Sequence, residues 1–118
     1  MILVDTSVWV EHFRSGTISL GAVLNNGQAA CHPFIIGELA CGNLRNRKEI
    51  LSLLQDLPMA IRARDDEVMQ FIKERGLMVK GLGYIDIHLL MSALLTGIPL
   101  WTLDKRLREV ATSILQNH

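Results

Sequence analysis

The sequence contains little that would hold a fold together covalently or carry the chain into a membrane. Only two of its 118 residues are cysteines, Cys31 and Cys41, and their spacing matches no zinc-binding pattern. Three interpretations remain open for them: burial as small apolar residues, a disulfide, or a metal site that also includes His32. No apolar run approaches the roughly 18 residues that span a bilayer, and the start resembles no signal peptide. We therefore expect a cytoplasmic protein without a membrane segment.

The chain also lacks a net charge, because 12 Lys and Arg residues balance 12 Asp and Glu residues. This balance excludes the strongly basic field of a histone-like protein. Hydrophobic residues make up 49% of the chain, and a chain of this length buries enough surface to fold without disulfides. We expect a single domain that spans residues 1–118.

Short apolar segments alternate with helical patterns along the chain. Strands are predicted at residues 2–4, 28–32, 59–61 and 100–103, where apolar residues cluster. A first helix is predicted to end at residue 15, with Thr6 or Ser7 as its N-cap. Further helices are predicted over residues 17–26, 33–42, 47–56, 65–76 and 84–96, and after Asp104. This alternation predicts an α/β fold in which helices cover both faces of an open, mainly parallel sheet.

Four acidic residues stand in apolar surroundings, where an unpaired carboxylate is costly. They are Asp5, Glu38, Asp86 and Asp104. Asp5 and Asp104 follow predicted buried strands, and open α/β sheets form their binding crevices at such strand ends. Glu38 and Asp86 share helical spacing with apolar neighbours, which turns both toward the core. We expect the four carboxylates to converge on one cleft; the alternative is that each is capped or paired separately.

A cluster of carboxylates favours a bound cation. Two like charges about 4 Å apart repel by about 4 kcal/mol at an effective dielectric constant of 20, and a divalent ion relieves this repulsion. Ligands that are all oxygen favour Mg²⁺ or Mn²⁺ over zinc, and such clusters support phosphodiester hydrolysis. Once the four acids are set aside, 12 basic residues face eight acidic ones, so the remaining surface suits a nucleic-acid backbone.

Several segments of the chain resemble PIN-domain ribonucleases, specifically toxins of the VapC type: MILVDTSVW, GELACG, GYIDIHLLMSALL and LWTLDKRL. The resemblance spans nearly the whole chain and implies a three-layer α/β/α PIN-like domain. It implies that Asp5, Glu38, Asp86 and Asp104 form the metal-binding catalytic set, and that Ser7 and Thr102 are supporting hydroxyls. It also implies hydrolysis of RNA with Mg²⁺ or Mn²⁺, a homodimer, and inhibition by a small cognate antitoxin.

Other functions fit these residues less well. A non-catalytic domain of the same fold that binds RNA or a partner protein remains the main alternative. A flavodoxin-like phosphoacceptor domain needs adjacent acids after its first strand, whereas Asp5 is followed by Thr6; a dehalogenase-like phosphatase needs an acid where Ser7 stands. His88 lies two residues after Asp86 and could serve as a general base, but we interpret it as a core histidine outside the catalytic set.

Overall fold

A three-stranded parallel sheet forms the centre of the molecule. The computed structural model describes residues 1–16 and 19–115, and in it strand β1 (Ile2–Val4) lies between β2 (Ala29–Ala30) and β3 (Leu100–Trp101). Leu3 pairs with Ala30 on one side and with Leu100 on the other. Because these strands are apolar and largely buried, helices must cover both faces of the sheet. The predicted α/β class with a mainly parallel sheet is confirmed.

Seven α-helices surround this sheet in the described part of the chain and complete a three-layer α/β/α arrangement. They are α1 (Thr6–Ser15), α2 (Leu20–Asn25), α3 (Pro33–Ala40), α4 (Arg47–Asp56), α5 (Asp65–Arg75), α6 (Tyr84–Thr96) and α7 (Lys105–Leu115), with a short 3-10 helix at Leu77–Val79. The helix predicted over residues 17–26 corresponds to α2; residues 17 and 18 lie outside the described residues, as do residues 116–118.

Two predicted strands are shorter than their apolar patterns suggest, and the strand predicted over residues 59–61 is wrong, because an isolated bridge stands there instead. At residues 59–61 only Met59 bridges to the sheet, and the N–H of Ile61 donates to the Thr96 hydroxyl at 2.8 Å. His32 leaves the predicted strand 28–32 to cap α3. The strand predicted over residues 100–103 ends at Trp101, and the N–H of Leu103 donates to the Ser7 hydroxyl.

The order of the strands determines where a site can form. Since β2 and β3 lie on opposite sides of β1, the connections leave the sheet in different directions and open a crevice at the carboxyl ends. Asp5 directly follows β1, and Thr102 directly follows β3. The two residues therefore meet at this edge of the sheet.

The two cysteines are both free thiols, so no disulfide joins them. Cys31 is buried, and its burial raises the pKa of the thiol to about 11, whereas Cys41 is exposed. Cys31 is therefore a core residue.

Among the described residues, no helix has the length and apolar character needed to cross a bilayer.

Candidate active site

Asp5 is the buried centre of the candidate site. It is 6% exposed, and its Oδ2 accepts hydrogen bonds from the hydroxyls of Ser7 and Thr102 at 2.7 and 2.8 Å. The backbone N–H of Ser7 approaches the same oxygen at 3.4 Å, so that Asp5 itself caps α1. The sequence suggested Thr6 or Ser7 for this cap, and that expectation was wrong.

The hydrogen bonds on Asp5 leave one of its oxygens available. Each hydroxyl has a single proton, and Ser7 and Thr102 both direct theirs to Oδ2. Neither hydroxyl therefore has a proton left to donate to the other, although their oxygen atoms are 3.3 Å apart. Oδ1 of Asp5 accepts no hydrogen bond within residues 1–16 and 19–115. We identify Oδ1 as the oxygen that can reach a ligand.

The same two hydroxyls also fix the loop that carries Asp104. Ser7 Oγ accepts the N–H of Leu103 at 3.0 Å, and Thr102 Oγ1 accepts the N–H of Asp104 at 3.1 Å. The Asp104 carboxylate in turn accepts the N–H of Leu107 at 3.1 Å and so caps α7. Asp104 is exposed. Its position depends on the hydroxyls that hold Asp5.

Asp86 lies in the first turn of α6, where its Oδ2 accepts the N–H of Gly83 at 3.3 Å. Burial raises the pKa of Asp86, and the negative charges of three further acids raise it again, whereas the Gly83 hydrogen bond opposes the rise. Those three acids are Asp5, Asp104 and Glu38. The structure thus brings the other three sequence-predicted carboxylates close enough to Asp86 for their charges to act on it.

Glu38 reaches the site from α3 and is the fourth acid; it is exposed, so the expectation that it turns toward the core was wrong. Its Oε1 accepts the hydroxyl proton of Thr6 at 2.7 Å, and Thr6 is the first residue of α1. Sequence reasoning treated Thr6 only as a possible cap and missed this contact. The available signal was that Thr6 directly follows Asp5, at the point where β1 ends beside the crevice.

The charges of the four acids are offset by helix ends rather than by cations. In the described part of the chain, the ion pairs involve only Glu11, Asp65, Asp66 and Glu67 as the acids. Asp5, Asp86 and Asp104 each lie at the N-terminus of a helix, where the helix dipole stabilises negative charge. These three dipoles and the hydroxyl donors allow the acids to lie together.

The donor set fits a hard divalent cation, because all four side chains offer carboxylate oxygens and none is neutralised by a described cation. The side chains interact electrostatically without meeting at one point. Within residues 1–16 and 19–115, no three His, Cys, Asp or Glu side chains stand close enough to enclose an ion. Binding would therefore need the carboxylates to rotate inward. The role of these acids as metal ligands stays a prediction.

His88 takes no part in the acid cluster. It is 1% exposed, and its Nε2 lies 3.0 Å from Asp65 Oδ1, which also accepts the Tyr84 hydroxyl at 3.1 Å. An ionised carboxylate only accepts hydrogen bonds, so Nε2 carries the proton. The structure therefore supports the interpretation of His88 as a core residue.

Comparison with known proteins agrees with this geometry. Residues 2–113 match the family model described as PIN domain. The chain belongs to the PIN-domain family. It is similar to Ribonuclease VapC32 of Mycobacterium tuberculosis, in strains CDC 1551 and H37Rv. Identity to both is 46% over 109 residues, which cover 92% of this chain and 88% of the relative. The chain is therefore a PIN-domain protein of the VapC type.

Proposed function

We propose that this PIN-domain protein is a metal-dependent endoribonuclease and the toxin of a toxin–antitoxin pair. The single observation that carries the proposal is the electrostatic cluster of four carboxylates at the carboxyl edge of the sheet. Nearly full-length similarity to proteins named ribonuclease supports RNA as the substrate. We expect the protein to act in the cytoplasm, where RNA substrates are present.

In this proposal Asp5, Glu38, Asp86 and Asp104 hold Mg²⁺ or Mn²⁺. When bound, such an ion neutralises charge on the phosphodiester and makes a water molecule acidic enough to serve as the nucleophile. Ser7 and Thr102 orient Asp5, because both donate hydroxyl protons to its Oδ2. Thr6 orients Glu38 in the same way.

The test is cleavage of total RNA by purified protein in Mg²⁺, in Mn²⁺ and in chelator, with Asp5→Asn assayed in parallel. We expect discrete fragments in either metal and none in chelator or with Asp5→Asn. Asp56→Asn is the matched control, because it removes an exposed carboxylate at the end of α4. RNA binding by the wild type without any cleavage would favour the non-catalytic alternative.

The proposed antitoxin would occupy a groove next to Glu38. The groove has a volume of about 590 Å³ and is lined by the apolar side chains of Val10, Phe13 and Leu39 as well as by Glu38. Val10 and Phe13 are 49% and 37% exposed. A disordered antitoxin segment could fold onto these side chains, while an arginine bridges the acids.

Coexpression with the cognate antitoxin tests this assignment. We expect the two proteins to copurify, and Val10→Asp to weaken the complex while RNA cleavage stays intact. Val79→Asp is the matched control, because Val79 is 80% exposed and lies outside the groove. Equal capture of wild type and Val10→Asp would contradict the assignment of the groove.

The protein would also form a homodimer. Met59 and Ile61 are 41% and 54% exposed and lie beside the end of α6, to which the Ile61 N–H is bound through Thr96. Exposed apolar side chains that lie near one another in this way can form part of a protein contact. Light scattering should give the mass of a dimer for the wild type and of a monomer for Ile61→Asp.

A further inference from the structure

A second pocket, lined by cations, lies between α5, the 3-10 helix and α7. Its volume is about 370 Å³, a size that suits a small ligand. Three of its lining residues are Arg75, Lys80 and Arg106. Within the described part of the chain, none of these three forms an ion pair with a carboxylate. Three cations that share one concave surface and form no such ion pair indicate an anionic ligand.

Gly81 allows one of these cations to lie against the backbone. A Cβ at this position would be 2.7 Å from Nη1 of Arg106, so that any side chain here would displace the guanidinium. The φ angle of Gly81 is +72°, a conformation that also favours glycine. The Arg106 guanidinium therefore lies directly over the turn that precedes α6.

The other side of the pocket combines charge with an apolar floor. The Arg75 guanidinium lies 6.0 Å from the centre of the Phe71 ring, and the floor is formed by apolar side chains, Leu77, Val110 and Ile114. Apolar surroundings strengthen the attraction between a cation and an anion. Glu109 also lines the pocket and opposes an anion, but the three cations leave the pocket net positive.

Two cations of the pocket lie close in the sequence to residues of the acid cluster. Lys80 lies three residues before Gly83, whose N–H binds Asp86, and Arg106 lies two residues after Asp104. Two residues span no more than about 7.6 Å between Cα atoms. The backbone that carries Arg106 therefore lies next to the backbone that carries Asp104.

We propose that the pocket binds a backbone phosphate of the RNA, next to the phosphodiester that is cleaved. The proposal rests on the proposed ribonuclease function and adds to it a separate site for the substrate backbone. Arg75 and Arg106 contact the phosphate oxygens with guanidinium N–H donors, which match phosphate geometry. The site binds without regard to base, because a phosphate has the same structure in every nucleotide.

The first test measures RNA binding in chelator, so that cleavage does not interfere. We expect Arg75→Ala combined with Arg106→Ala to weaken binding at least about tenfold and to lower the salt dependence of the affinity by about one unit per lost contact. Glu109→Gln should strengthen binding. Lys73→Ala is the matched control, because it removes a cation from α5 that does not line the pocket.

Kinetics separate this site from the acid cluster. The double variant should raise KM about tenfold while the maximal cleavage rate at saturating RNA stays within about twofold of the wild type. An unchanged KM would overturn the proposal, whether or not the maximal rate falls. Weaker binding of inorganic phosphate by the variant, with unchanged binding of RNA, would assign the pocket to free phosphate and also overturn it. Failure of the wild type to bind RNA at all would instead overturn the proposed function.

Discussion

Thr102 donates its hydroxyl proton to Asp5 over 2.8 Å, although the two residues are 97 positions apart in the chain. The contact joins the carboxyl ends of β1 and β3, which are neighbours in the sheet. It directs one oxygen of Asp5 inward and leaves the other available for a ligand. The geometry of the site thus depends on the pairing of the central strands.

Thr102→Val tests this dependence, because it keeps the side-chain shape but removes the hydroxyl. Asp5 would lose a donor and the Asp104 N–H an acceptor, at a cost of about 1–3 kcal/mol in the free energy of unfolding. We expect RNA cleavage to fall at least about tenfold in protein that remains folded. Thr112→Val is the control, since that exposed hydroxyl donates to the Arg108 carbonyl of its own helix. Equal cleavage by the two variants would contradict the role of Thr102.

Asp86→Asn should separate activity from stability. The pKa of Asp86 is raised in the folded protein, so its contribution to stability is present at low pH and is lost as the pH rises through the folded pKa. Asparagine does not ionise, so the variant does not lose this stability as the pH rises. Its side-chain oxygen can still accept the Gly83 N–H. In chelator at pH 7, we expect a higher free energy of unfolding than for the wild type, measured with urea. RNA cleavage in metal should fall at least about 100-fold.

The stability gain of Asp86→Asn should disappear below about pH 3.9, the ordinary pKa of an aspartate. Below this value the wild-type carboxyl is protonated in both the folded and the unfolded state. A variant that is inactive because it is unfolded at pH 7 would contradict the assignment of Asp86 to the site.

His32 should make the fold sensitive to acid. Its Nδ1 accepts the Phe34 N–H and its Nε2 lies 3.1 Å from the Ser92 hydroxyl, while burial, His88 and Arg62 lower its pKa to about 4. The unfolded chain therefore binds a proton below about pH 6.5 that the folded chain binds only near pH 4. Stability should fall across this window by at most about 3 kcal/mol.

His32→Asn isolates that effect, because asparagine can also cap α3 but does not titrate. Urea unfolding at pH 7 and pH 4.5 should show the wild type approaching the variant in stability as the pH falls. A difference between the two proteins that is constant with pH would exclude His32 as the source.

The ends of the RNA products report on the nucleophile. Attack by water leaves a 5′-phosphate on one fragment, whereas attack by the ribose hydroxyl leaves a 2′,3′-cyclic phosphate. The acid cluster favours the first route, which a divalent ion supports. Mass spectrometry of the fragments should find 5′-phosphates, and cyclic phosphates would refute hydrolysis by water.

The fold was largely predictable because short apolar strands alternate with helices that have clear ends. Gly97, for example, ends α6 in the left-handed region, with φ at 75°. The strand ends were not predictable from local pattern. Leu103 and Ile61 have apolar side chains, but their N–H groups bind hydroxyls that are distant in the sequence.

The candidate site was predicted in part. Apolar surroundings identified Asp5, Glu38, Asp86 and Asp104, and the structure places the other three acids close enough to Asp86 for their charges to act on it. The contact of Thr6 with Glu38 joins residues 32 positions apart, and its one signal in the sequence was the position of Thr6 directly after Asp5. The cation pocket was hidden, because it depends on the packing of Arg106 over Gly81.

Calorimetric titration with Mn²⁺ is the most direct test that the four acids form a metal centre. We expect the wild type to bind Mn²⁺, Asp56→Asn to bind it equally well, and Asp5→Asn to bind at least about tenfold more weakly, since it alters the oxygen left free by Ser7 and Thr102. Equal binding of Mn²⁺ by the wild type and Asp5→Asn would contradict the account.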